Sequence, residues 1–326
     1  MPWLNWAPIG LLLAGIGVGA WWVPGTSAAV IVLAVAGVLA MPHGALDVAV
    51  GPVVLRSSFL PLYLASGGAT LLCWLLAPTW SFAGFVIVAW WHFGRGDAAH
   101  VPGDRRGAQL HGVASGGAVL GGSLTIHRDL AAPIVERVAG ESAMSTLAPL
   151  GAVMLATATV AGAFAIRRHA TAGSARFAVE LVSLGVLTLV AHPVVAFAVY
   201  FVGVHALRHL LELRARHVAV RSWLLVAAAS MAPVIAAAVT VAVATPSSVT
   251  LARVAMIGLA VLTTPHVVVT EAMRRFDRHS PSPRGASSIE TDRAELRVGS
   301  ALTGDDKLRA WRRTHPTTVF PTSRTT

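Results

Sequence analysis

The sequence predicts an all-α protein, a polytopic transmembrane helical bundle with a disordered polar C-terminal tail. Only 12% of its residues are charged and 55% are hydrophobic, whereas soluble domains carry about 25% charged residues. No Asp, Glu, Lys or Arg occurs in Met1–Leu46 or in Ser57–Gly94. A helix crosses the hydrocarbon core in roughly 20 apolar residues, so such windows hold one or two spans each and the chain about 8–10 in all.

Nine apolar segments follow one another along the chain. They are residues 8–23, 28–50, 59–77, 80–96, 108–126, 146–166, 177–209, 221–243 and 249–272. The fifth segment is rich in Gly and Ser, and such small residues permit close helix packing in a membrane. The seventh is too long for one straight span. His192-Pro193 interrupts it, and proline removes a backbone donor and clashes with the preceding turn, so we expect a break there.

The two ends of the chain differ in composition. The N-terminus lacks the basic stretch of a signal peptide, which predicts that the first segment is retained as a span. The C-terminal end is polar and rich in Ser, Thr and Pro, which is typical of disorder. We therefore expect a transmembrane helical domain over residues 1–275 and a disordered cytoplasmic tail over residues 276–326.

The formal net charge of +10 does not indicate a nucleic-acid partner. Eleven Lys or Arg and six Asp or Glu lie from Arg274 to Thr326, and the remaining charge lies mostly in short loops between apolar segments. Basic loops on one side are typical of membrane proteins and predict a multi-pass protein of the cell (inner or plasma) membrane. The single cysteine, Cys73, cannot form an intrachain disulfide.

Histidines occur where lipid-facing residues are expected. Six of the thirteen are embedded in apolar sequence: His43, His92, His192, His205, His209 and His266. An ionisable group at membrane depth is costly and usually marks a functional site. Six of them on at least four segments predict a shared polar or metal site. Six others lie in polar loops or the tail, where we expect solvated side chains: His100, His127, His169, His217, His279 and His315. The role of His111, at the start of the fifth segment, is left open.

His205 and His209 form the most specific pair. Residues at i and i+4 share one helical face, which lets two imidazoles bind one ion. No Glu follows the first of them, so a metalloprotease is excluded. Clustered imidazoles suit iron, copper, zinc or nickel. A metal-bound imidazole usually donates its other N–H to an acceptor, and three embedded carboxylates could accept it or form salt bridges instead: Asp47, Asp97 and Glu180.

Over residues 35 to 272, the order of these motifs resembles a known family. They are Pro42-His43-Gly44-Ala45-Leu46-Asp47, Trp91-His92-Phe93-Gly94 with Asp97, His192-Pro193 with Phe197 and Tyr200-Phe201, His205 to Arg208-His209, and Pro265-His266. They resemble the Brp/Blh family of β-carotene 15,15′-dioxygenases. The resemblance implies oxygenative cleavage of the central double bond of β-carotene to two retinal molecules, with Fe(II) as cofactor. The implied iron ligands are His43, His92, His205 and His209.

Other embedded residues are candidates for the surroundings of that site. Candidates to support the ligands are Asp47, Asp97, Glu180, His192 and His266. Aromatic residues near the motifs either line a polyene tunnel or are ordinary packing and interfacial residues, and they are Trp91, Phe93, Phe197, Tyr200 and Phe201. The implied partners are β-carotene, molecular oxygen, the lipid bilayer and, functionally, a retinal-binding rhodopsin. One departure is Val48, where the family usually has a further His, and it bears on whether the enzyme is active.

Two other readings fit the embedded histidines. A membrane transporter or proton relay also uses buried His and carboxylates and helices broken at Pro. A desaturase or hydroxylase would need more histidine boxes than this chain has.

Topology supplies a further expectation. If every segment crossed once, His205 and His209 would lie near the opposite membrane face from His43 and His92, too far apart to share one ion. Three arrangements resolve this conflict: the ligands lie near mid-depth, with Pro42 and Pro193 bending their helices; the fifth segment does not cross; or the seventh segment is two pieces that turn at His192-Pro193, with His192 at the turn. We favour the last, because Pro193 then opens the second piece, where its missing N–H costs nothing.

Overall fold

The structure, a computed structural model, describes residues 6–22, 24–217 and 248–279, and within these ranges it contains helices and turns but no strand. The helices are α1 (Ala7–Trp21), α2 (Thr26–Ala45), α3 (Asp47–Leu55), α4 (Phe59–Leu76), α5 (Pro78–Ala98), α6 (Arg105–Thr125), α7 (Arg128–Ala139), α8 (Ala143–Thr171), α9 (Ala175–Val190), α10 (Pro193–Tyr200), α11 (Leu207–His217) and α12 (Ser248–His279). A 3-10 turn (Arg56–Ser58) joins α3 to α4, and a π-helical segment (Phe201–Ala206) joins α10 to α11.

The all-α prediction is confirmed. Helices cover eight of the nine predicted segments, and the segment at 221–243 lies outside the described residues. The short helix α7 was not predicted, although its buried side chains Ile134, Val135 and Val138 recur at helical spacing. Helix α12 extends to His279, so residues 276–279 are helical rather than part of a disordered tail. By contacts, the chain divides into the units Met1–Met273 and Arg274–Thr326.

Four helical stretches are long and apolar enough to cross a membrane: Val50–Leu76, Ala143–Thr171, Pro193–Glu212 and Arg253–Phe276. Large apolar side chains on the outer helices, among them Leu75, Val153 and Phe164, are exposed. Soluble monomers rarely expose contiguous apolar surface of this kind, whereas a surface that contacts lipid requires it.

Helix α6 lies at the centre of the bundle, although its sequence is the least apolar of the predicted spans. Its glycines meet a different neighbour on each side, and a Cβ at Gly112 would lie 2.0 Å from the carbonyl oxygen of Gly94 on α5. A Cβ at Gly121 would lie 2.6 Å from the backbone nitrogen of Leu155 on α8. Because α6 packs on protein by its backbone, it needs few large apolar side chains, as the small-residue pattern predicted.

The seventh predicted segment is a helical hairpin, which confirms the expected split at His192-Pro193. A Cβ at Gly15 of α1 would meet both Leu187, before the turn, and Val199, after it. The chain therefore runs back along α1 after the turn. Pro193 opens α10, where its missing N–H breaks no helical hydrogen bond. The His192 side chain caps the same helix by accepting from the backbone N–H of Val194.

Candidate metal centre

Four buried imidazoles form one cluster, contributed by α5, the π-helical segment, α11 and α12. The ring centroids of His92 lie 5.0 Å from those of His205 and His266, and the rings of His266 and His209 are 5.3 Å apart. All four side chains are at least nine-tenths buried. The π-helical segment carries His205, and such local widening of a helix is frequent at functional sites.

The closest approach in the cluster has the dimensions of a pair of metal ligands. The Nε2 atoms of His92 and His205 face each other at 3.3 Å. Two nitrogens bound to one ion at about 2.1 Å each lie roughly 3.0 to 3.4 Å apart, depending on the coordination angle. Within the described ranges, no group of three or more His, Cys, Asp or Glu side chains has the geometry to coordinate one metal ion. Among the described side chains, His92 and His205 therefore have the spacing of two ligands, but a complete set of ligands is not formed.

Three of the four predicted ligands are in this cluster, and the remaining one is His43. It lies near the end of α2, and the structure does not describe its side chain. The adjacent backbone nevertheless reaches the cluster. A Cβ at Gly44 would lie 3.8 Å from the ring of His266. Three residues further, the Asp47 carboxylate contacts the same ring.

Asp47 supports the cluster from behind His266. The Nδ1 atom of His266 lies 2.9 Å from one oxygen of Asp47 and 3.0 Å from the other. This contact fixes Nδ1 as the protonated nitrogen and directs Nε2 towards the other rings, as carboxylates do behind metal-bound histidines. His266, predicted to stand behind the ligands, thus lies among them.

Asp97 stands behind His205 on the opposite side of the cluster. Its Oδ1 atom lies 3.7 Å from His205 Nδ1 and 3.9 Å from Arg208 Nη1. Its Oδ2 atom accepts hydrogen bonds from Ser115 Oγ at 2.7 Å and from Tyr200 Oη at 2.8 Å. The carboxylate is fully buried; two hydrogen bonds satisfy Oδ2, while His205 and Arg208 lie beside Oδ1 beyond hydrogen-bond distance.

A buried ion pair continues outward from Asp97. Arg208 donates to Glu180 of α9, and His111 Nε2 donates to the other oxygen of Glu180 at 3.2 Å. The ring of His169 follows, 5.4 Å from that of His111. Glu180 was predicted to support a ligand; among the described contacts it is linked to His205 through Arg208 and Asp97.

Other histidines have structural roles. His192 lies at the hairpin turn, about 20 Å along the helix from His205 at 1.5 Å per residue, so it does not stand beside the ligands. His127 donates from Nε2 to the Thr188 carbonyl at 2.7 Å. His169, expected in a solvated loop, is buried.

The predicted tunnel residues lie in three different surroundings. Phe93 and Phe201 are buried against His205, with ring centroids 4.5 and 6.3 Å from it, and Phe197 stacks on Phe201 at 5.3 Å. Trp91 is 45% exposed, with the Arg95 guanidinium 5.3 Å from its ring centroid. Tyr200 is bound to Asp97 as described above.

Sequence reasoning missed the role of Arg208 and Ser115, and it left His111 undecided. One signal was available: an arginine inside an apolar segment needs a buried carboxylate, and Glu180 is embedded in the same predicted segment, 177–209. Ser115 gave no such signal, because its Gly- and Ser-rich surroundings suggested packing alone.

Comparison with known proteins gives one match. The family model described as "Beta-carotene 15,15'-dioxygenase" matches residues 33–274, about three quarters of the chain. The matched range includes every residue of the histidine cluster and of the Asp97 network. No curated protein and no solved structure matches the chain.

Proposed function

The chain belongs to the β-carotene 15,15′-dioxygenase family, and on that premise we propose that it cleaves β-carotene centrally, within a membrane, with a ferrous ion held by its histidine cluster. The family assignment makes it an oxygenase and decides against the transporter reading. The iron, the ligand set and the membrane location are the parts that the proposal adds.

One observation carries the metal assignment: the facing Nε2 atoms of His92 and His205 at 3.3 Å, inside a cluster of four imidazoles. We assign His43, His92, His205 and His209 as ligands, as the motifs predicted. His266 joins them as a candidate, since Asp47 holds its Nδ1 and leaves Nε2 directed inward. Imidazole nitrogens suit iron and exclude magnesium or calcium, which prefer oxygen.

The charge of the surroundings also supports a divalent cation. The buried Asp, Glu, Lys and Arg side chains in the described part of the chain are Asp47, Asp97, Glu180 and Arg208. Three carboxylates against one guanidinium leave two negative charges in a low-dielectric interior, if the histidines are neutral. Uncompensated buried charge is costly, and a divalent ion beside the cluster would balance it.

A ferrous ion bound there would supply the centre at which dioxygen reacts, so that the central double bond of the polyene breaks and each of its carbons receives one oxygen atom. The side chains orient and shield that centre. Phe93 and Phe201 cover the ring of His205 and exclude water from it. Asp47 holds Nδ1 of His266 by a hydrogen bond, and Asp97 faces Nδ1 of His205 at 3.7 Å, so both carboxylates favour rings whose Nε2 atoms point away from them.

The apolar exterior fits the proposed location and substrate. β-Carotene dissolves in lipid rather than water, and the exposed apolar side chains of α4 and α8 suit contact with a bilayer. An enzyme there receives the polyene without extracting it into water. Phe197, partly buried at the outer end of the Phe197–Phe201–His205 stack, is a candidate contact for the polyene. Retinal as product gives the proposed functional link to a rhodopsin.

The test is expression in cells that produce β-carotene, followed by pigment extraction and iron analysis of the purified protein. We expect loss of β-carotene, appearance of retinal and about one iron per chain. Alanine at His43, His92, His205 or His209 should abolish retinal formation while the protein still inserts into the membrane. Activity at the wild-type level in His205→Ala would contradict the ligand assignment.

A matched control separates ligands from other buried histidines. His192→Asn removes an equally buried imidazole but keeps a side chain that can cap α10. His100→Ala and His315→Ala remove histidines outside the predicted ligand set, which the sequence places in a polar loop and in the C-terminal tail. All three variants should form retinal at the wild-type rate, and a loss in each of them would mean that the assay reports folding rather than the site.

A further inference from the structure

We propose that Tyr200 and Ser115 are positioning residues, which hold the Asp97 carboxylate so that its second oxygen orients the iron ligand His205. The inference rests on the proposed metal site, and it assigns to Tyr200 a role other than the lining of a polyene tunnel. It also gives Ser115 a role beyond close helix packing.

The geometry divides the two oxygens of Asp97 between two tasks. Oδ2 accepts from both hydroxyl groups, Tyr200 at 2.8 Å and Ser115 at 2.7 Å. Oδ1 faces Nδ1 of His205 at 3.7 Å and Nη1 of Arg208 at 3.9 Å. The rotation of a carboxyl group about its Cβ–Cγ bond is soft. Two donors on Oδ2 therefore determine where Oδ1 points.

Three helices meet at this carboxylate, which makes the arrangement rigid. Asp97 is near the end of α5, Ser115 lies on α6, and Tyr200 is the last residue of α10. All three side chains are fully buried. Tyr200 immediately precedes the π-helical segment that carries His205, so its hydroxyl also fixes the start of that segment. The Tyr200 ring contacts Phe93 edge to face at 5.7 Å, which leaves its hydroxyl directed at Asp97.

The orientation of His205 follows from both sides of its ring. Nε2 faces the Nε2 of His92, so Nδ1 is the nitrogen that faces Asp97. An acceptor at that position favours the tautomer with its proton on Nδ1, which leaves the Nε2 lone pair for a metal ion. Loss of either hydroxyl frees Asp97 to rotate and weakens that preference.

The first experiment measures iron affinity and retinal formation in Tyr200→Phe and Ser115→Ala. Each variant should bind iron about 10- to 100-fold more weakly, the usual effect of removing support behind a ligand, with kcat reduced more than KM is raised. The matched control is Ser123→Ala on the same helix, whose hydroxyl donates to the backbone of Val119. It should bind iron as the wild type does.

A double-mutant cycle tests whether the hydroxyl groups act through Asp97. In an Asp97→Ala background, Tyr200→Phe should cause no further loss of iron affinity, because the carboxylate that it positions is absent. The same loss in both backgrounds would overturn the proposal and show that Tyr200 acts by packing.

A metal-free measurement keeps this inference separate from the proposed function. In protein labelled with ¹⁵N at histidine, the signals that disappear in His205→Gln identify His205. They should show the proton on Nδ1 in the wild type and a shift towards the other tautomer in Tyr200→Phe. An unchanged tautomer would overturn the positioning role. Absence of iron and of retinal in the wild type would instead overturn the proposed function. The nitrogen spectra would still decide whether Tyr200 positions Asp97.

Discussion

Asp47 and Asp97 occupy equivalent positions on two sides of the histidine cluster, each facing the Nδ1 atom of one imidazole, but their surroundings differ. Asp47 directs both oxygens at His266 within 3.0 Å, and no other hydrogen-bond partner of it occurs in the described part of the chain. Asp97 shares its oxygens among Ser115, Tyr200, Arg208 and His205. Both are buried, so neither carboxylate is hydrated.

The difference separates support of a ligand from support of the fold. Removal of Asp47 affects one imidazole, whereas removal of any member of the Asp97 network leaves other buried charges without partners. A buried charge that loses its partner costs far more than the intact pair contributes. Variants on the Asp97 side should therefore change stability and activity together, and variants on the Asp47 side should change activity with little effect on stability.

The largest expected effect belongs to Arg208→Met. It removes the one buried guanidinium of the described residues and leaves Asp97 and Glu180 as uncompensated carboxylates. We expect a loss of about 3–5 kcal/mol in the free energy of unfolding. The measurement is the denaturation midpoint of purified protein in detergent, together with the yield of folded protein.

Arg95→Met is the matched control for that loss. Arg95 pairs with Glu271 at 3.1 Å, but its side chain is 39% exposed. Exposed pairs contribute about 0–1 kcal/mol, so this variant should unfold near the wild-type midpoint. Equal losses in the two arginine variants would mean that burial of the Asp97 network has no special energetic weight.

Asp47→Asn should separate function from stability. The amide retains an oxygen that can accept from His266 but removes the negative charge. Iron affinity and the rate of retinal formation should fall roughly 10- to 100-fold, the usual cost of losing support behind a metal ligand. The denaturation midpoint of the metal-free protein should stay the same or rise, because a buried carboxylate has been neutralised. A midpoint that fell as far as that of Arg208→Met would contradict the distinction drawn between the two sides.

A smaller effect is expected from Gly112→Ala, which perturbs the Asp97 side by packing alone. Its Cβ would lie 2.0 Å from the carbonyl oxygen of Gly94, so α5 and α6 must separate. Overpacking of this kind costs about 1–3 kcal/mol. Separation of the two helices also lengthens the hydrogen bond from Ser115 to Asp97, so iron affinity should fall in parallel with the midpoint.

Gly84→Ala on α5 is the control for that substitution, since a Cβ there meets nothing within 4 Å. Alanine in an open helical position should stabilise the protein by about 0.5–1 kcal/mol. If both glycine variants were stabilised, the close approach of α5 and α6 would not be a feature of the protein in solution.

The sequence predicted the helices and the split at His192-Pro193 because those features are local. Apolar length defines a span, and a proline defines where a helix restarts. It also predicted that His205 and Asp97 belong to one site, on the strength of motifs. It could not place His266 against Asp47, since those residues are 219 positions apart and only tertiary packing brings them together.

Aromatic residues show the same limit. Trp91 and Tyr200 were assigned to one tunnel from their nearness to histidine motifs. The structure exposes Trp91 and encloses Tyr200 completely. Which face of a helix a ring occupies depends on the neighbours of that helix, and Trp91 lies on an exposed face of α5. The hydroxyl of Tyr200 carried no local signal of its partner, because Asp97 is 103 residues away in the sequence.

The smallest expected effect concerns Asp104, a carboxylate held by hydrogen bonds like Asp97 but exposed to solvent. It caps α6 by accepting from the backbone N–H groups of Arg106 and Gly107, and these bonds, with the Arg168 guanidinium beside them, hold the pKa of Asp104 below its usual 3.8. A carboxyl group with a lowered pKa in the folded state stabilises the fold above its unfolded pKa, and that contribution is lost as the pH falls through the folded value.

Asp104→Asn keeps a capping side chain and removes the charge. The midpoint of the variant should lie slightly below that of the wild type at neutral pH, and the gap should close below about pH 4. A gap that persisted at low pH would show that it does not arise from the charge of Asp104. A gap as large as that of Arg208→Met would show that solvent does not weaken this contact, and exposure would then not explain why the buried Asp97 network matters more.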